Sequence, residues 1–207
     1  MTFHGDMTAR AVVRVPSLRW VPRGPLDEKL LEDDGGRRRT VIVRLAPHAR
    51  LATGGEGCLD ILVLAGELRD ERHVHPAGAY LHAPAGIALS SLEGCTVFLK
   101  QRPARRRSRH AMDTRMAVFE PSHTPGLWQA PLHDDLDGRV VLLRFDPGTQ
   151  IAHHHHDGGE EFFVLSGEVR HELGSYATDC WVRQPPGSAH SITSPGGCLF
   201  LTFAHHL

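Results

Sequence analysis

The sequence contains no long apolar run. Nowhere in its 207 residues is there an uninterrupted apolar stretch of the roughly 18–20 residues that a membrane-spanning helix needs. Residues 1–6 also lack the basic start and following apolar stretch that mark a secretory signal. We therefore expect no membrane partner and a cytoplasmic location.

An excess of charge of either sign is missing too. The chain has 23 Lys and Arg against 24 Asp and Glu, which gives a formal net charge of −1. A protein that binds nucleic acid through its phosphates needs a clear excess of basic residues, so we expect no nucleic-acid partner. The four cysteines are widely spaced and form no C-x-x-C pair. This spacing favours reduced thiols over a disulfide framework or a zinc ribbon.

A sustained helical period is the third absence. Only residues 26–33 favour a brief helix. Instead, 21 Gly and 14 Pro separate short apolar runs that are typical of strands. The clearest runs are 40–45, 60–64, 96–99, 140–145, 161–165 and 199–203. Many short strands between turns predict an all-β sandwich or barrel.

The strands belong to an internal repeat. Residues 60–67 return as 161–168, and residues 84–86 return as 185–187, both at an offset of 101. We therefore predict two β-domains, at 12–101 and 116–207. The segment 102–115 between them begins with a basic, apolar-poor run, which we interpret as a solvated linker.

Histidine, in contrast, is abundant, with 16 residues, and the run 153–156 consists of histidine alone. Because strand side chains alternate between faces, His154 and His156 should point one way and the other two histidines of the run should point to the surface. A turn then places Glu160 on the next strand, and His190 follows a Pro-Pro-Gly turn. Imidazole with carboxylate suits one divalent transition metal such as Zn, Fe, Mn or Ni, and argues against Ca or Mg.

These spacings resemble the two motifs of the cupins, G-x5-H-x-H-x3–4-E-x6-G and G-x5-P-x-G-x2-H-x3-N. The first motif is matched by Gly148, His154, His156, Glu160 and Gly167. The second is matched by Pro185, Gly187 and His190, and departs from the pattern at Asp179 and Ser194. More closely, the H-x-H-x-G-G-E-E run and the P-P-G-S-x-H turn resemble the cupin domain of ChrR-type zinc-dependent anti-sigma factors. The resemblance implies a bicupin of two tandem RmlC-like jelly-roll barrels.

The first copy lacks the predicted ligands. At the offset of 101 its equivalent positions hold Thr53, Gly55, Leu59 and Leu89, so we interpret it as a degenerate cupin. The remaining histidines have no supporting spacing and are expected at the surface or in the carboxyl-terminal tail. They include His73, His75, His110, His123, His133, His171, His205 and His206.

Three functions fit this resemblance. The first is a metal-dependent enzyme, dioxygenase-like, acting on a small organic molecule between pocket walls formed by Phe162, Val164 and Trp181. Diketone-cleaving cupin dioxygenases use three histidines, so Glu160 departs from their pattern. The second is a structural or ligand-sensing zinc site, and the third is a ChrR-like regulator. ChrR-type factors bind sigma through a separate amino-terminal domain with a His/Cys zinc cluster, which argues against a sigma-factor partner here; a homo-oligomer stays open.

Overall fold

The structure is a computed structural model that describes residues 2–105 and 108–204. Two arginines of the predicted linker, Arg106 and Arg107, lie outside the described residues, as do His205 and His206. No helix among the described residues has the length and apolar character that crossing a membrane requires.

Nearly all regular structure in the described residues is β. Two short 3-10 turns, Val15–Ser17 and Thr114–Met116, accompany the strands. In chain order the strands are β1 (Ala11–Arg14), β2 (Val21–Arg23), β3 (Leu26–Asp33), β4 (Arg39–Leu45), β5 (Arg50–Leu51), β6 (Cys58–Arg69), β7 (Val74–Pro76), β8 (Ala79–Pro84), β9 (Leu89–Ser90), β10 (Cys95–Arg102), β11 (His110–Asp113), β12 (Glu120–Pro121), β13 (Leu127–Asp135), β14 (Gly138–Phe145), β15 (Thr149–His156), β16 (Glu160–His171), β17 (Gly174–Ala177), β18 (Cys180–Gln184), β19 (Ser188–Ser194) and β20 (Cys198–Ala204).

The chain divides into two compact units with the same strand order. The first unit comprises residues 1–5 and 18–117, and the second comprises residues 6–17 and 118–207. The main sheet of the first unit runs β11-β8-β6-β10-β4-β3-β2, and that of the second runs β1-β18-β16-β20-β14-β13-β12. Every paired strand is antiparallel in both sheets. The repeat inferred from the sequence is therefore a repeat of topology.

The units differ from the predicted domain bounds at two strands. Strand β1 pairs with β18, so this early segment belongs to the second unit. Strand β11, inside the predicted linker, pairs with β8 and belongs to the first unit. In each unit this strand occupies the same edge of the sheet.

Alternating apolar side chains build the interior of each unit. In β4 the interior residues are Val41, Val43 and Leu45, and in β6 they are Leu59, Ile61 and Val63. The second unit places Phe162 and Val164 of β16 in its interior together with Phe145, Tyr176, Val182, Ile192 and Phe200. Burying one such side chain contributes about 1.5–3 kcal/mol. The interior of each unit is thus specified by a period of two along its strands.

The helix predicted for residues 26–33 is wrong, because these residues form strand β3. A register shift between Leu30 and Glu32 breaks the strand alternation. The buried Leu31 therefore follows Leu30 directly, and the apolar spacing imitates a helical pattern.

The backbone conformation requires glycine at one equivalent position of both units. Gly66 and Gly167 have φ angles of +73° and +78°. A Cβ atom would lie 2.3 Å from the Gly94 oxygen at the first position and 2.1 Å from the Gly197 oxygen at the second. No larger side chain fits there without moving the backbone, which explains why both copies carry glycine.

Candidate metal centre

A β-bulge decides which histidines face the interior of the second unit. Strand β15 pairs with β19, and Ile151 stands opposite Ile192. The next pair is His154 with His190, so the register shifts there by one residue. Paired residues share a face, and Ile192 belongs to the interior core, so both histidines of the pair point inwards. Regular alternation from Ile151 would have turned His153 inwards instead.

Three imidazole rings converge at this end of the second unit. Their centroids lie 4.8 Å apart for His154 and His156, and 4.7 Å and 4.9 Å from that of His190. One nitrogen of each ring lies within 4.8 Å of the other two, and the Nε2 atoms of His156 and His190 are 3.1 Å apart. Ligand atoms about 2.0–2.1 Å from a tetrahedral zinc ion are roughly 3.4 Å apart. The spacing therefore suits ligands that share one metal ion.

Glu160 lies beside two of these histidines. Its Oε2 atom is 3.5 Å from Nε2 of His156 and 3.9 Å from Nε2 of His190, although Glu160 is not part of the three-histidine group. Thr202 donates a 3.2 Å hydrogen bond to Oε1, whereas Oε2 is buried without a hydrogen-bond partner among the described residues. Burial raises the pKa of Glu160 to about 7. An unpartnered buried carboxylate oxygen is costly, and a metal cation at this position would satisfy it.

Two features of the imidazole rings suit metal binding. Nδ1 of His154 lies 3.0 Å from the carbonyl oxygen of Ala152. A carbonyl oxygen only accepts, so Nδ1 donates, and Nε2 is the nitrogen of this ring that would bind a metal ion. Burial, followed by the neighbouring His156 and His154, lowers the pKa of His190 to about 3. Neutral imidazole is the form that binds metal, so the donor set fits a divalent transition metal.

The other two histidines of the run are exposed, as expected. His153 and His155 are exposed, and their rings lie 5.6 Å from each other, away from the three-histidine cluster. The predicted tail residues His205 and His206 lie outside the described residues.

Two of the three predicted pocket walls face the interior. Phe162 and Val164 both belong to the interior core of the second unit. Trp181 does not share their face. It pairs with Phe163, whereas Phe162 pairs with Val182, so strand alternation places Trp181 on the opposite side of the sheet. All five residues of β18 are buried. The strand therefore has no polar, solvent-exposed face that would distinguish the side of Trp181 from the side of Val182.

The first unit has no ligand at the equivalent positions. Its strand β5 pairs with β9, with Leu51 opposite Leu89, which matches the interior pair Ile151 and Ile192 in the second unit. The residue equivalent to His190 is therefore Ile87, two positions earlier, and the predicted equivalence with Leu89 is wrong. The other equivalents follow the offset of 101 and are Thr53, Gly55 and Leu59. The second copy has an insertion between its Pro-Pro-Gly turn and His190. The offset that relates the two turns therefore does not apply at His190.

A second group of ligand-type atoms, from Cys58, Asp60 and His82, lies in the first unit. Asp60 accepts hydrogen bonds from Tyr80 at 2.6 Å and from Arg102 at 2.9 Å, and His82 contacts it at 2.8 Å. With the Arg102 charge already beside its carboxylate, this group fits a buried ion-pair network better than a cation site.

Two histidines expected at the surface are buried. His75 is 4 % exposed, and its Nε2 atom is 2.7 Å from Asp70. His133 is 9 % exposed and lies 3.0 Å from Asp135. For both residues the nearby aspartate in the sequence was the missed signal, because a buried imidazole needs a partner.

His171 was also assigned to the surface, but it lies against the three-histidine cluster. Its ring is 5.2 Å from that of His190 and 4.6 Å from that of Tyr176. The side-chain amide of Gln184 contacts its Nε2 atom at 3.0 Å. Burial, and then the charge of Arg10, lowers the pKa of His171 to about 4. Neither Arg10 nor Tyr176 carries a motif signal, because their positions depend on a strand pairing between distant segments.

The two departures from the second cupin motif have local explanations. Asp179 has a φ angle of +63°, a left-handed conformation that glycine adopts freely and aspartate tolerates. Ser194 donates a 2.7 Å hydrogen bond to the backbone oxygen of Glu168. In the first unit Ser91 makes the same bond to Glu67, also at 2.7 Å. Both departures therefore preserve turns and leave the cluster intact.

Comparison with known proteins gives the fold. Among solved structures the chain is similar to a proposed dioxygenase from Nostoc punctiforme, at 18% identity over 100% of this chain and 83% of the other, with a TM-score of 0.74. It is also similar to an oxalate decarboxylase from Bacillus subtilis, at 12% identity over 94% and 76% of the two chains, with a TM-score of 0.65. A bacterial pirin from Escherichia coli in complex with nickel(II) is similar at 15% identity over 95% and 98%, with a TM-score of 0.68.

No curated protein matches the chain. A sequence model of the ChrR cupin-like domain, however, matches it twice, over residues 8–105 and 107–207. These two matches cover both units, and each unit has the antiparallel strand order described above. The chain therefore belongs to the ChrR cupin-like domain family and consists of two tandem cupin β-barrels.

Proposed function

We propose that the second unit binds one divalent transition metal through His154, His156 and His190, with Glu160 as the fourth ligand. The observation that carries the proposal is the convergence of three imidazoles beside a buried carboxylate oxygen that has no hydrogen-bond partner among the described residues. Mixed nitrogen and oxygen donors suit Zn, Fe, Mn or Ni. Calcium and magnesium prefer sites built from oxygen atoms.

We infer that this site serves a metal-dependent enzyme, dioxygenase-like, that acts on a small organic molecule. Such an ion supplies Lewis acidity or, if it is iron, oxygen chemistry. The apolar side chains of Phe162 and Val164 face the interior, where they would exclude water and contact the organic part of a substrate. Two of the similar structures, the proposed dioxygenase and the oxalate decarboxylase, are named as enzymes.

A ligand-sensing or regulatory protein with a structural zinc ion is the second candidate. It is favoured by the family match, whose description refers to ChrR, and by the number of ligands, since four protein ligands can close a tetrahedral zinc shell. This candidate does not include a sigma-factor partner. Fold alone does not choose between the two candidates.

The four cysteines support the proposed cytoplasmic location. Cys58, Cys95, Cys180 and Cys198 form no disulfide, and all four are buried. Burial raises the pKa of Cys180 to about 11 and that of Cys198 to about 12, so these thiols stay protonated and unreactive. Cysteines without disulfide bonds are typical of a reducing compartment.

Two measurements separate the candidates. The first is metal analysis of protein purified without a nickel column, and the second is oxygen-uptake screening after iron is restored. The enzyme proposal expects about one metal ion per chain and uptake of oxygen that depends on an added organic substrate. Tightly held zinc, with no substrate-dependent uptake under iron, would favour the sensing candidate. Protein with no stoichiometric metal under either condition would contradict both.

A further inference from the structure

Arg10 is linked to the three-histidine cluster through two intervening side chains, Tyr176 and His171. Its Nη2 atom donates to the hydroxyl of Tyr176, and its guanidinium carbon is 5.5 Å from the centre of the Tyr176 ring. The Tyr176 ring is 4.6 Å from that of His171, which in turn is 5.2 Å from that of His190. A row of contacting side chains therefore runs from the guanidinium to one of the proposed metal ligands.

Arg10 has no carboxylate partner among the described residues. Its Nε atom is buried and has no hydrogen-bond partner among the described residues. Among the same residues, none of its ion pairs or hydrogen bonds involves a carboxylate, and its one side-chain hydrogen bond goes to neutral Tyr176. A buried N–H of a charged group without an acceptor costs free energy. An anionic group on a bound molecule would supply both the acceptor and the opposite charge.

The first unit shows what happens when the protein supplies that charge itself. Its edge strand β11 pairs with β8 as β1 pairs with β18, which makes Arg109 the equivalent of Arg10. Asp70 occupies the position equivalent to His171, and Arg109 forms an ion pair with it. The first unit thus neutralises its arginine with a carboxylate. In the second unit a histidine stands at that position, and the guanidinium has no carboxylate partner among the described residues.

Building on the proposed metal site, we infer that Arg10 binds an anionic group of the molecule that enters the second unit. This molecule is a small organic acid that carries a carboxylate in addition to the group that reaches the three-histidine cluster. Arg10 is then a specificity-determining residue. It directly precedes β1, which lies about 170 residues before its partner strand β18 in the sequence. Because His171 stands where the first unit has an aspartate, no carboxylate at this position competes with the ligand for the guanidinium.

The test uses the full chain loaded with Co²⁺, whose visible spectrum reports ligand binding at the metal. Malonate, succinate and glutarate are titrated against the monocarboxylates acetate, propionate and butyrate. Wild-type protein is expected to bind at least one dicarboxylate about tenfold or more tightly than its monocarboxylate, as a charge-assisted hydrogen bond allows. Arg10→Gln should remove this preference, and Arg10→Lys should retain part of it. The matched control Arg109→Gln should retain it fully.

His171→Asp provides a second variant in which Arg10 stays in place. It installs the carboxylate of the first unit, and the preference for dicarboxylates should fall about tenfold because the introduced carboxylate would pair with the guanidinium. Affinities are expressed per bound Co²⁺, so incomplete loading of a variant does not imitate a loss of anion binding. A dicarboxylate preference that survives both Arg10→Gln and His171→Asp overturns the inference, as does a Co²⁺-loaded wild-type protein without any preference. Wild-type protein that takes up no Co²⁺ overturns the proposed metal site instead.

Discussion

The two units share their strand order, their turn glycines and their interior apolar faces, but they differ at one end. Where the second unit has His154, His156 and His190, the first has Thr53, Gly55 and Ile87. The hydroxyl of Thr53 donates a 2.9 Å hydrogen bond to the backbone oxygen of Ile87, so backbone polarity is satisfied there without imidazoles. The comparison teaches that the fold and the site depend on separate sets of residues. The strands need turns and a period of two, whereas the site needs four side chains at one end.

The largest effect is expected when the second unit loses the histidines that the first unit lacks. His154→Ala combined with His156→Ala should lower metal affinity on the order of a thousandfold or more. Zinc held by four protein ligands gains roughly 10–16 kcal/mol in zinc-finger peptides, and this variant loses two ligands. Elemental analysis after dialysis is the measurement. The control is His153→Ala with His155→Ala, whose side chains are exposed, and it should keep about one metal ion per chain. Equal metal content in the two double variants would refute the assignment.

The next effect tests what the units have in common. Gly167→Ala and Gly66→Ala should each lower the free energy of unfolding by roughly 2–4 kcal/mol, because a Cβ atom would lie 2.1 Å or 2.3 Å from a backbone oxygen. Gly187→Ala is the control, since its φ angle is +76° with no atom within 4 Å of an added Cβ, and it should cost only about 1–2 kcal/mol of backbone strain. Denaturant unfolding of the metal-free protein measures all three. A large loss at only one of the two repeat positions would show that the turns are not equivalent.

A smaller effect concerns the positions that hold Asp70 and His171. Asp70 accepts hydrogen bonds from the backbone N–H groups of Arg72 and His73 at 2.7 Å and 2.9 Å, besides its contacts with His75 and Arg109. These contacts hold the pKa of Asp70 well below its usual range. Asp70→Asn should therefore lower the free energy of unfolding by about 1–3 kcal/mol.

The effect of Asp70→Asn should also depend on pH. A carboxyl group with a depressed folded-state pKa stabilises above its unfolded pKa, and this contribution is lost as pH falls. The difference between wild type and Asp70→Asn should thus shrink in acid. His171→Asn is the matched variant in the second unit and should cost less than about 1 kcal/mol. A larger loss at His171 than at Asp70 would reverse the comparison.

The smallest effect is the pH dependence of metal affinity. It concerns the second unit, because the first has Leu59 at the position of Glu160. Because burial raises the pKa of Glu160 to about 7, the metal-free protein holds a proton there below pH 7. A metal ion that takes Glu160 must displace this proton, so apparent affinity should fall about tenfold per pH unit below 7. Titration with Zn²⁺ above and below pH 7 measures the slope, and Glu160→Gln should flatten it. Without metal, the raised pKa means that Glu160 stabilises at low pH and loses this contribution as pH rises through 7.

Much of the fold was predictable from local patterns. The strands at 40–45 and 161–165 alternate or run apolar between turn residues, and β4 and β16 contain them. The repeat could be found because turn residues such as Gly66 and Gly167 are constrained by their backbone conformation. The histidines and Glu160 were predicted as ligands from their spacing, and the structure brings all four near one another.

The remaining features depend on contacts that no local pattern encodes. The four-histidine run contains two alternating pairs, and only the bulge opposite Ser191 turns His154 and His156 inwards. Trp181 was assigned to the wrong face because both faces of β18 are buried. The pairings of β1 and β11 join segments that are distant in the sequence, so Arg10 had no visible link to the cluster.

The pairing of β1 with β18 also constrains how the chain is made. About 170 residues separate the two strands in the sequence. At about 5–20 residues per second, the ribosome needs roughly 10–30 s to synthesise them. During that time β1 has no partner strand, while the first unit can already acquire β2 to β10. Contacts of such long sequence separation form late. The second unit is therefore expected to be the last to fold on the ribosome, and a fragment containing only residues 118–207 lacks one edge of its own sheet.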